Sequence, residues 1–294
     1  GDGEKLTLYT APDERAEAAW VAENILESVR NGNKFSDNAV LYRMNAQSAA
    51  LETVFARSGI SYKIVGGFRF FERKEIRDVL AYLNLISNNS DSVRLRRIIN
   101  EPKRGIGETT VNRASDIAEE LGLSLFEVFS NADDSPSLSR AAAKLREFCG
   151  IISKLSALID ELSVSELFDR MLDDTGYRAA LIAENTDEAR DRLENVNELA
   201  SSIKQYEDEH DEPTLAEFLE ETALFSDLDS YDENDDRVVL MTIHSAKGLE
   251  FNRVFLVGME EGIFPGSQSI YCGDAEIEEE RRLAYVAITR ARRE

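Results

Sequence analysis

The sequence predicts an α/β protein in which a doubly wound parallel sheet is interrupted by an inserted all-helical domain. Near both ends of the chain, short and nearly continuous apolar runs alternate with helical patterns, as expected for parallel strands that are covered by helices on both faces. Between about Phe71 and Asp232 the strand-like runs vanish, and amphipathic helical patterns follow one another. We therefore expect one domain built from residues 1–74 and 233–294, and a second, helical domain built from residues 75–232.

Short apolar runs define the strands of the first domain. The predicted strands are Leu6–Tyr9, Ala39–Arg43, Tyr62–Val65, Val238–Ile243 and Val254–Val257. Helical patterns separate the first three of them. One helix is expected to open at Pro12 and Asp13 and to run to about Val29, because proline and an acidic residue favour the first turn. A second helix is expected over Ala46–Ser58, with Asn45 as its N-cap.

Amphipathic patterns define the helices of the middle segment. The predicted helices are Lys74–Leu85, Val93–Ile99, Thr109–Leu121, Leu138–Leu162, Ser165–Leu172, Asp187–Glu207 and Leu215–Leu224. Ser124 and Ser163 precede apolar faces and are expected to act as helix caps. Beyond the insertion, a last helix is expected over Glu276–Arg293, because acidic residues open it and arginines close it, as the helix dipole favours.

Composition excludes several classes of protein. The chain has 294 residues, and 57 acidic residues against 34 basic ones give a formal net charge of −23. No apolar run approaches the roughly 18 residues of a membrane span, and the first residues lack the pattern of a secretory signal. The cysteines, Cys149 and Cys272, form no CxxC pair, and two histidines are too few for a multi-histidine metal site. We expect a soluble, cytoplasmic protein without a metal site of its own.

The charge is distributed unevenly along the chain. Residues 207–236 hold fourteen acidic residues and no lysine or arginine, which predicts a solvated connector. Residues 94–113 instead carry six basic residues and two acidic ones, a local charge of +4. Because cations that are concentrated on one surface can bind a polyanion, the acidic composition does not exclude nucleic acid as a partner.

The segment Val238–Val257 places polar side chains just after a predicted buried strand. Thr242, His244 and Ser245 follow the strand, and each can donate a hydrogen bond to a phosphate oxygen. Because ligands of doubly wound sheets bind at the carboxyl ends of the strands, the pattern predicts an anion site there. Polar turns at strand ends are also common without any ligand.

Gly248 and Glu250 follow in the same segment. Gly248 permits a positive φ or a close approach of the backbone to a ligand, and Glu250 is an acceptor suited to ribose hydroxyls. The alternative for Glu250 is a surface carboxylate that pairs with a neighbour such as Lys247 or Arg253.

Two further segments carry candidate cations. Arg290 lies near the end of the last predicted helix, where it is either a solvated arginine or a cation for the transferring phosphate of a nucleotide. Arg43 and Asn45 lie where a strand meets a helix N-terminus, a natural anion site, although Asn45 is equally explained as a cap.

The run Lys103–Thr110, KRGIGETT, combines two glycines, two basic residues and a following helix. Glycines expose backbone N–H groups, and Lys103 and Arg104 add positive charge beside them. The pattern is typical of the hairpin in helix-hairpin-helix modules, which bind a duplex backbone without reading bases.

Taken together, the motifs resemble the UvrD/PcrA/Rep family of superfamily 1 DNA helicases. VLYRMNAQS, PKRGIG, TIHSAKGLEF and EEERRLAYVAITRAR occur in the order seen in that family, and IVGGFRFFERKEI and GMEEGIFP are also similar. The resemblance covers essentially the whole chain, and an ordered set of motifs is far more specific than any single one. It implies that the first domain is the RecA-like motor domain 2A and that the helical insertion is domain 2B.

The resemblance also implies roles for individual residues. Arg290 corresponds to the catalytic arginine finger, and Glu250 and Gly248 lie on the nucleotide side. The expected contacts with single-stranded DNA are Arg43, Asn45, Thr242, His244 and Ser245. The expected contacts with duplex DNA are Lys103, Arg104, Gly105, Ile106, Gly107 and Thr109.

The sequence departs from a complete helicase, since it contains neither a GxxxxGK[ST] motif nor an Asp-Glu pair that closes a buried strand. In the family, that motif and the Mg²⁺ ligands lie in the first motor domain, 1A/1B. We therefore expect a monomeric fragment of a 3′-to-5′ helicase that uses ATP and Mg²⁺ when complete, while the fragment alone binds neither tightly and is inactive. Two alternatives stay open, namely a motor fragment of an AddA/RecB-type helicase-nuclease, and a non-catalytic DNA- or protein-interaction module.

Overall fold

The computed structural model describes residues 5–227 and 236–293. The chain divides into two units, one formed by Gly1–Glu72 together with Phe225–Glu294 and the other by Arg73–Leu224. In the described residues, no helix has the length and apolar character needed to cross a bilayer.

The helices of the described residues are as follows. In chain order they are α1 (Glu14–Arg30), α2 (Ser48–Arg57), α3 (Lys74–Ser87), α4 (Ser92–Ile98), α5 (Glu108–Leu121), α6 (Leu125–Ser130), α7 (Ala142–Ser156), α8 (Val164–Asp174), α9 (Tyr177–Glu184), α10 (Asp187–Glu209), α11 (Leu215–Asp227), α12 (Ser267–Cys272) and α13 (Asp274–Ile288).

The first unit contains a parallel sheet. Its strands are β1 (Asn38–Tyr42), β2 (Tyr62–Val65), β3 (Val238–Thr242) and β4 (Arg253–Leu256), and they lie side by side in the order β2-β3-β1-β4. All the strand pairs are parallel. Four of the five predicted strands are therefore confirmed to within a residue at each end, together with the predicted fold class of a doubly wound, RecA-like sheet that carries a helical insertion.

Helices cover the two faces of this sheet. Val40 and Tyr42 face a core that includes Val21 and Ile25 of α1 and Phe55 of α2. The alternate residues of β1 and β3 face a second core; its buried members are Ala39, Leu41, Val239, Met241, Ile243, Ala246, Phe264 and Ala287. Because both faces of β1 and β3 are buried, their sequences are nearly continuous apolar runs.

The predicted strand Leu6–Tyr9 is wrong. Among the residues that the structure describes, this segment pairs with no strand, and Leu6 and Leu8 are 78% and 89% exposed. Tyr9 instead stacks on Trp20, with ring centroids 4.5 Å apart. An apolar run forms a strand only where a neighbouring backbone completes its hydrogen bonds, and the sequence of the run alone does not reveal that neighbour.

The second unit is helical. Helix α3 lies at its centre and packs against α4, α7, α8 and α10. Its buried side chains include Ile76, Val79, Tyr82 and Leu83. The predicted caps are confirmed, since Ser124 and Ser163 accept hydrogen bonds from the backbone at the starts of α6 and α8.

Two helix predictions need correction, and helices α9 and α12 were not predicted. The single helix predicted over Leu138–Leu162 is replaced by a short 3₁₀ turn at Pro136–Leu138 and by α7, which ends at Ser156. Helix α9 was missed because it is short and follows Gly176, whose φ of 74° separates it from α8. The last predicted helix ends at Ile288 rather than at Arg293.

The acidic segment 207–236 contains the helix predicted over Leu215–Leu224, so it is not a connector throughout. Helix α11 occupies Leu215–Asp227, and Leu215 and Phe218 are buried, because apolar residues at helical spacing give this acidic run a packing face. Residues 228–235, which include the predicted domain boundary at 232–233, lie outside the described residues.

Candidate functional site

The carboxyl ends of the parallel strands form one edge of the sheet, which we call the carboxyl edge. It comprises residues 43–47 after β1, 66–67 after β2, 242–245 after β3 and 257–258 after β4. Ligands of open α/β sheets bind at this edge, because loops there expose backbone and polar side-chain groups. Every residue predicted to contact single-stranded DNA lies on it.

The turn after β3 is held together by its own hydroxyl groups. The Oγ1 of Thr242 lies 3.0 Å from the Oγ of Ser245 and also accepts a hydrogen bond of 3.3 Å from the Ser245 backbone N–H. One hydroxyl hydrogen serves the contact between these oxygens, so the other is available for a ligand. Gly66 approaches the turn so closely that an added Cβ would lie 2.7 Å from the Ser245 Oγ.

His244 is exposed in this turn. Partial burial, together with the nearby positive charge of Arg43, lowers its pKa below the usual 6.5, and the carboxylate of Glu280 opposes that shift. The imidazole is therefore neutral at pH 7, and a phosphate that approaches it would favour the protonated form.

Arg43 leaves the end of β1 and forms a two-pronged ion pair with Glu280 of α13. Its Nη2 lies 2.9 Å from the Glu280 Oε1, and its Nε lies 3.3 and 3.2 Å from the two carboxylate oxygens. Glu280 is buried, whereas 29% of the Arg43 side chain stays exposed. Sequence reasoning missed Glu280, because nothing in the sequence links two positions 237 residues apart.

The loop after β1 is organised by Gln47. Its Oε1 accepts hydrogen bonds from the backbone N–H groups of Arg43 and Met44, at 3.0 and 2.9 Å. Asn45 is therefore not the helix cap that the sequence suggested; residues 45–47 form a 3₁₀ turn, and α2 begins at Ser48. A glutamine at the third position of a helical turn is a known capping signal, so Gln47 was detectable in the sequence.

A second cluster, which we call the nucleotide-side cluster, joins residues 248–251 to residues 290–292. The Phe251 N–H donates to the Arg290 carbonyl at 2.9 Å, and the Arg292 N–H donates to the Phe251 carbonyl at 2.7 Å. The Nη1 of Arg290 donates to the Leu249 carbonyl at 3.1 Å. These bonds place the segment that carries Gly248 and Glu250 beside Arg290. That all three serve one ligand stays a prediction.

Arg290 lies just beyond the end of α13. Its Nε donates to the Val286 carbonyl at 2.9 Å, and its Nη2 donates to the Thr289 Oγ1 at 3.1 Å. A guanidinium has five N–H groups, and the contacts named here use three of them. The side chain is partly exposed, so the guanidinium is held at the surface rather than enclosed in the core.

Glu250 pairs with Arg292, whose Nε lies 3.1 Å from its Oε2. This pairing replaces both partners that the sequence suggested, and one of them, Arg253, donates instead to the Asn24 carbonyl. Both members of the pair are more than half exposed, so the pair is weak and can exchange for another partner. Gly248 has a φ of 88° and open space around it.

In the second unit, residues 103–107 form an exposed loop between α4 and α5, which we call the glycine loop. Lys103, Gly105 and Gly107 are exposed, as is Thr109 in the first turn of α5. Ile106 is only 2% exposed, and its backbone N–H donates to the Asn100 Oδ1 at 3.0 Å. Ile106 is therefore the buried anchor of the loop, and its side chain is not available to DNA.

Arg104 is turned toward the interior of its own unit. Its Nη1 donates to the carbonyls of residues 98, 99 and 102, at 3.2 to 3.3 Å. Its Nη2 donates to the Tyr82 Oη at 2.8 Å and to the Thr175 carbonyl at 3.1 Å. The guanidinium also lies 5.0 Å from the ring centre of Phe148. Arg104 therefore holds the loop backbone. Of the two predicted cations, only Lys103 faces solvent.

No three His, Cys, Asp or Glu side chains within residues 5–227 and 236–293 are grouped as metal ligands. The assignment of Mg²⁺ ligands to a preceding domain stays a prediction.

Comparisons with known proteins identify relatives of this chain. The profile of the UvrD-like helicase C-terminal domain matches residues 1–294. The ATP-dependent DNA helicase PcrA of Bacillus subtilis (strain 168) is 44% identical over 300 residues, which cover 100% of this chain and 40% of that protein. The PcrA helicases of Staphylococcus aureus (strain MRSA252) and Staphylococcus epidermidis are 44% and 43% identical, over 99% and 98% of this chain and 40% of their own lengths. The chain therefore spans 40% of the length of these relatives.

Proposed function

The chain belongs to the family of UvrD-like helicase C-terminal domains, and from this premise we propose that it forms domains 2A and 2B of an ATP-dependent DNA helicase that moves 3′ to 5′ along single-stranded DNA. The observation that carries this proposal is the meeting of two sets of residues in one unit, with DNA-contact candidates on the carboxyl edge and nucleotide-contact candidates in the nucleotide-side cluster. ATP, Mg²⁺ and DNA are the substrate, cofactor and partner of the complete enzyme.

Single-stranded DNA runs along the carboxyl edge. Thr242 and Ser245 offer hydroxyl groups, His244 offers an imidazole N–H, and Arg43 keeps N–H groups beyond those that face Glu280. Such groups contact phosphates and do not read bases, so the helicase has little sequence preference and its binding is sensitive to salt. Asn45 lies in the same loop, where its Oδ1 would be 3.7 Å from a Cβ added at Gly67.

The nucleotide is hydrolysed at a junction with a first motor domain, 1A/1B, that precedes this chain. Glu250 accepts from the ribose hydroxyls after exchanging its exposed partner Arg292, and the open backbone at Gly248 lets the nucleotide approach. Arg290 donates its remaining N–H groups to the transferring phosphate when the two domains close. An arginine in this role is worth about 10³-fold or more in phosphoryl transfer.

The glycine loop contacts the duplex ahead of the fork. Lys103 supplies charge, Gly105 and Gly107 expose their backbone, and Thr109 adds a hydroxyl group. Arg104 and Ile106 hold the loop in shape from beneath, as their inward contacts support. Contacts of this kind are made with phosphates, so they position the protein on the duplex without selecting a sequence.

A strand-displacement assay on tailed duplexes tests this proposal. The complete helicase, which carries this chain behind domains 1A/1B, is expected to unwind a duplex with a 3′ single-stranded tail and to leave a 5′-tailed duplex intact. The 294-residue chain alone is expected to hydrolyse no ATP, because the phosphate-binding loop lies in the missing domain. Preference for the 5′ tail would refute the proposed direction. Hydrolysis by the isolated chain would refute the assignment of the phosphate-binding loop to another domain.

A further inference from the structure

Helix α13 carries several acidic residues, and one of them differs from the others in its surroundings. Glu276, Glu278 and Glu279 are exposed, and the last two pair with arginines three residues later on the same helix. Glu280 is only 7% exposed. Burying a carboxylate is costly unless a cation and hydrogen bonds compensate it, so the surroundings of Glu280 must supply both.

Arg43 and Ser269 supply them. The guanidinium of Arg43 spans both carboxylate oxygens at 2.9 to 3.3 Å, and the Ser269 hydroxyl donates to Oε1 at 3.4 Å. Two-pronged pairing of this kind fixes the orientation of the guanidinium plane as well as its position. Glu280 therefore determines the direction in which the remaining N–H groups of Arg43 point.

Those remaining groups belong to the carboxyl edge. Arg43 uses its Nε–H and one Nη2–H on Glu280, which leaves three of its five N–H groups. The same ion pair lies near His244, since the charges of both Arg43 and Glu280 act on that imidazole. The buried carboxylate of Glu280 thus pairs with Arg43, a proposed DNA contact, and belongs to α13, the helix that leads to Arg290.

We propose that Glu280 is a positioning residue that couples single-stranded DNA on the carboxyl edge to the nucleotide-side cluster. It ties Arg43 to α13, so a DNA phosphate that binds the Arg43 guanidinium also shifts the helix whose end carries Arg290. This inference rests on the proposed helicase function, and it gives a physical route by which bound DNA stimulates ATP turnover.

The stimulation of ATP turnover by oligodeoxythymidylate tests the coupling in the complete helicase. Glu280→Gln keeps the size of the side chain and one acceptor but removes the charge that holds Arg43. We expect the ratio of turnover with DNA to turnover without DNA to fall at least about tenfold, the loss that corresponds to about 1.4 kcal/mol of coupling. Glu279→Gln is the matched control, because Glu279 is its exposed neighbour on the same helix, and the ratio should not change there.

Arg43→Lys provides a second variant if Glu280→Gln fails to fold. Lysine keeps the positive charge for phosphate but cannot span both carboxylate oxygens. The stimulation ratio should again fall at least about tenfold when it is measured at a concentration of oligodeoxythymidylate that saturates the variant. A normal ratio in either folded variant overturns the proposal.

The proton NMR signals of His244 give a readout that does not depend on activity. In the 294-residue chain, Glu280→Gln should lower the pKa of His244 further, because it removes the negative charge that opposes the existing downward shift. Glu279→Gln should leave that pKa unchanged, and an unchanged value in Glu280→Gln would refute the geometry. If the wild-type complete helicase shows no stimulation by DNA, the proposed function fails. If DNA stimulates the wild type and the variants equally, the coupling alone fails.

Discussion

His244 illustrates how one side chain on the carboxyl edge responds to its surroundings. Partial burial and the charge of Arg43 disfavour its protonated form, although the side chain is still exposed to solvent. A DNA phosphate beside it would have the opposite effect, since a negative charge favours the imidazolium ion. DNA binding should therefore be linked to proton uptake at this residue.

An NMR titration of the 294-residue chain measures this linkage. We expect the pKa of His244 to lie below 6.5 without DNA and to rise when oligodeoxythymidylate binds. Because its pKa is lowered in the folded state, the unfolded chain binds more protons as the pH falls through 6.5, and His244 then destabilises the fold. His244→Gln should remove this contribution to acid sensitivity. A pKa that DNA leaves unchanged would place His244 outside the DNA path.

Gly258 has no side chain, and the space this leaves is occupied by Gln47, which holds the loop after β1. Its φ is 66°, and an added Cβ would lie 1.9 Å from the Nε2 of Gln47. Gln47 would then have to move, and the backbone N–H groups of Arg43 and Met44 would lose their acceptor. Gly59 has the same φ of 66° but open space around it.

Alanine substitutions at these two glycines separate the cost of the backbone from the cost of the contact. Gly59→Ala should lower the free energy of unfolding by about 1–2 kcal/mol, the cost of a left-handed residue. Gly258→Ala should cost about 2 kcal/mol more, because it also leaves two partly buried backbone donors without their acceptor. Urea denaturation of the chain measures both values. Equal losses would show that Gln47 is free to move and that it does not hold the loop.

At the scale of elements, the glycine loop separates a contact residue from a supporting residue. Lys103 and Arg104 are neighbours with the same charge, yet one faces solvent and the other lies against Tyr82 and Phe148. Lys103→Ala should weaken binding to a DNA hairpin more than to oligodeoxythymidylate, and it should leave the free energy of unfolding within about 0.5 kcal/mol. Arg104→Ala should instead destabilise the chain by about 2 kcal/mol or more, because buried carbonyls lose their donor.

Fluorescence anisotropy and urea denaturation distinguish the two roles. Equal loss of hairpin and single-strand binding in Lys103→Ala would count against the loop as a duplex contact. Normal stability in Arg104→Ala would show that its inward hydrogen bonds do not hold the loop.

Sequence reasoning succeeded where a local pattern carries the structural information. Strands β1 and β3 are buried on both faces, and the edge strands β2 and β4 are partly buried; short apolar runs marked all four to within a residue. It failed at Leu6–Tyr9, because forming a strand needs a neighbouring backbone that periodicity does not reveal. The same limit hid Glu280 and the Glu250–Arg292 pair, since each depends on chain segments that only the fold brings together.

At the scale of the whole molecule, net charge is a poor guide to the binding surface. The chain carries a formal charge of −23, and residues 207–236 account for 14 of the excess acidic groups. Exposed charges are screened over roughly 8 Å at physiological ionic strength, so a phosphate on the carboxyl edge responds mainly to the charges next to it, such as that of Arg43. Local geometry therefore decides where a polyanion binds.

The central claim is that this chain contributes one catalytic group, Arg290, to a nucleotide held by another domain. Steady-state ATP hydrolysis by the complete helicase with oligodeoxythymidylate tests it most directly. Arg290→Ala should lower kcat by at least about a hundredfold and leave the KM for ATP nearly unchanged, because the arginine stabilises charge that develops only in the transition state. Arg282→Ala, which removes an exposed arginine of α13 that pairs with Glu279, should keep normal turnover. An unchanged kcat in folded Arg290→Ala would contradict the account.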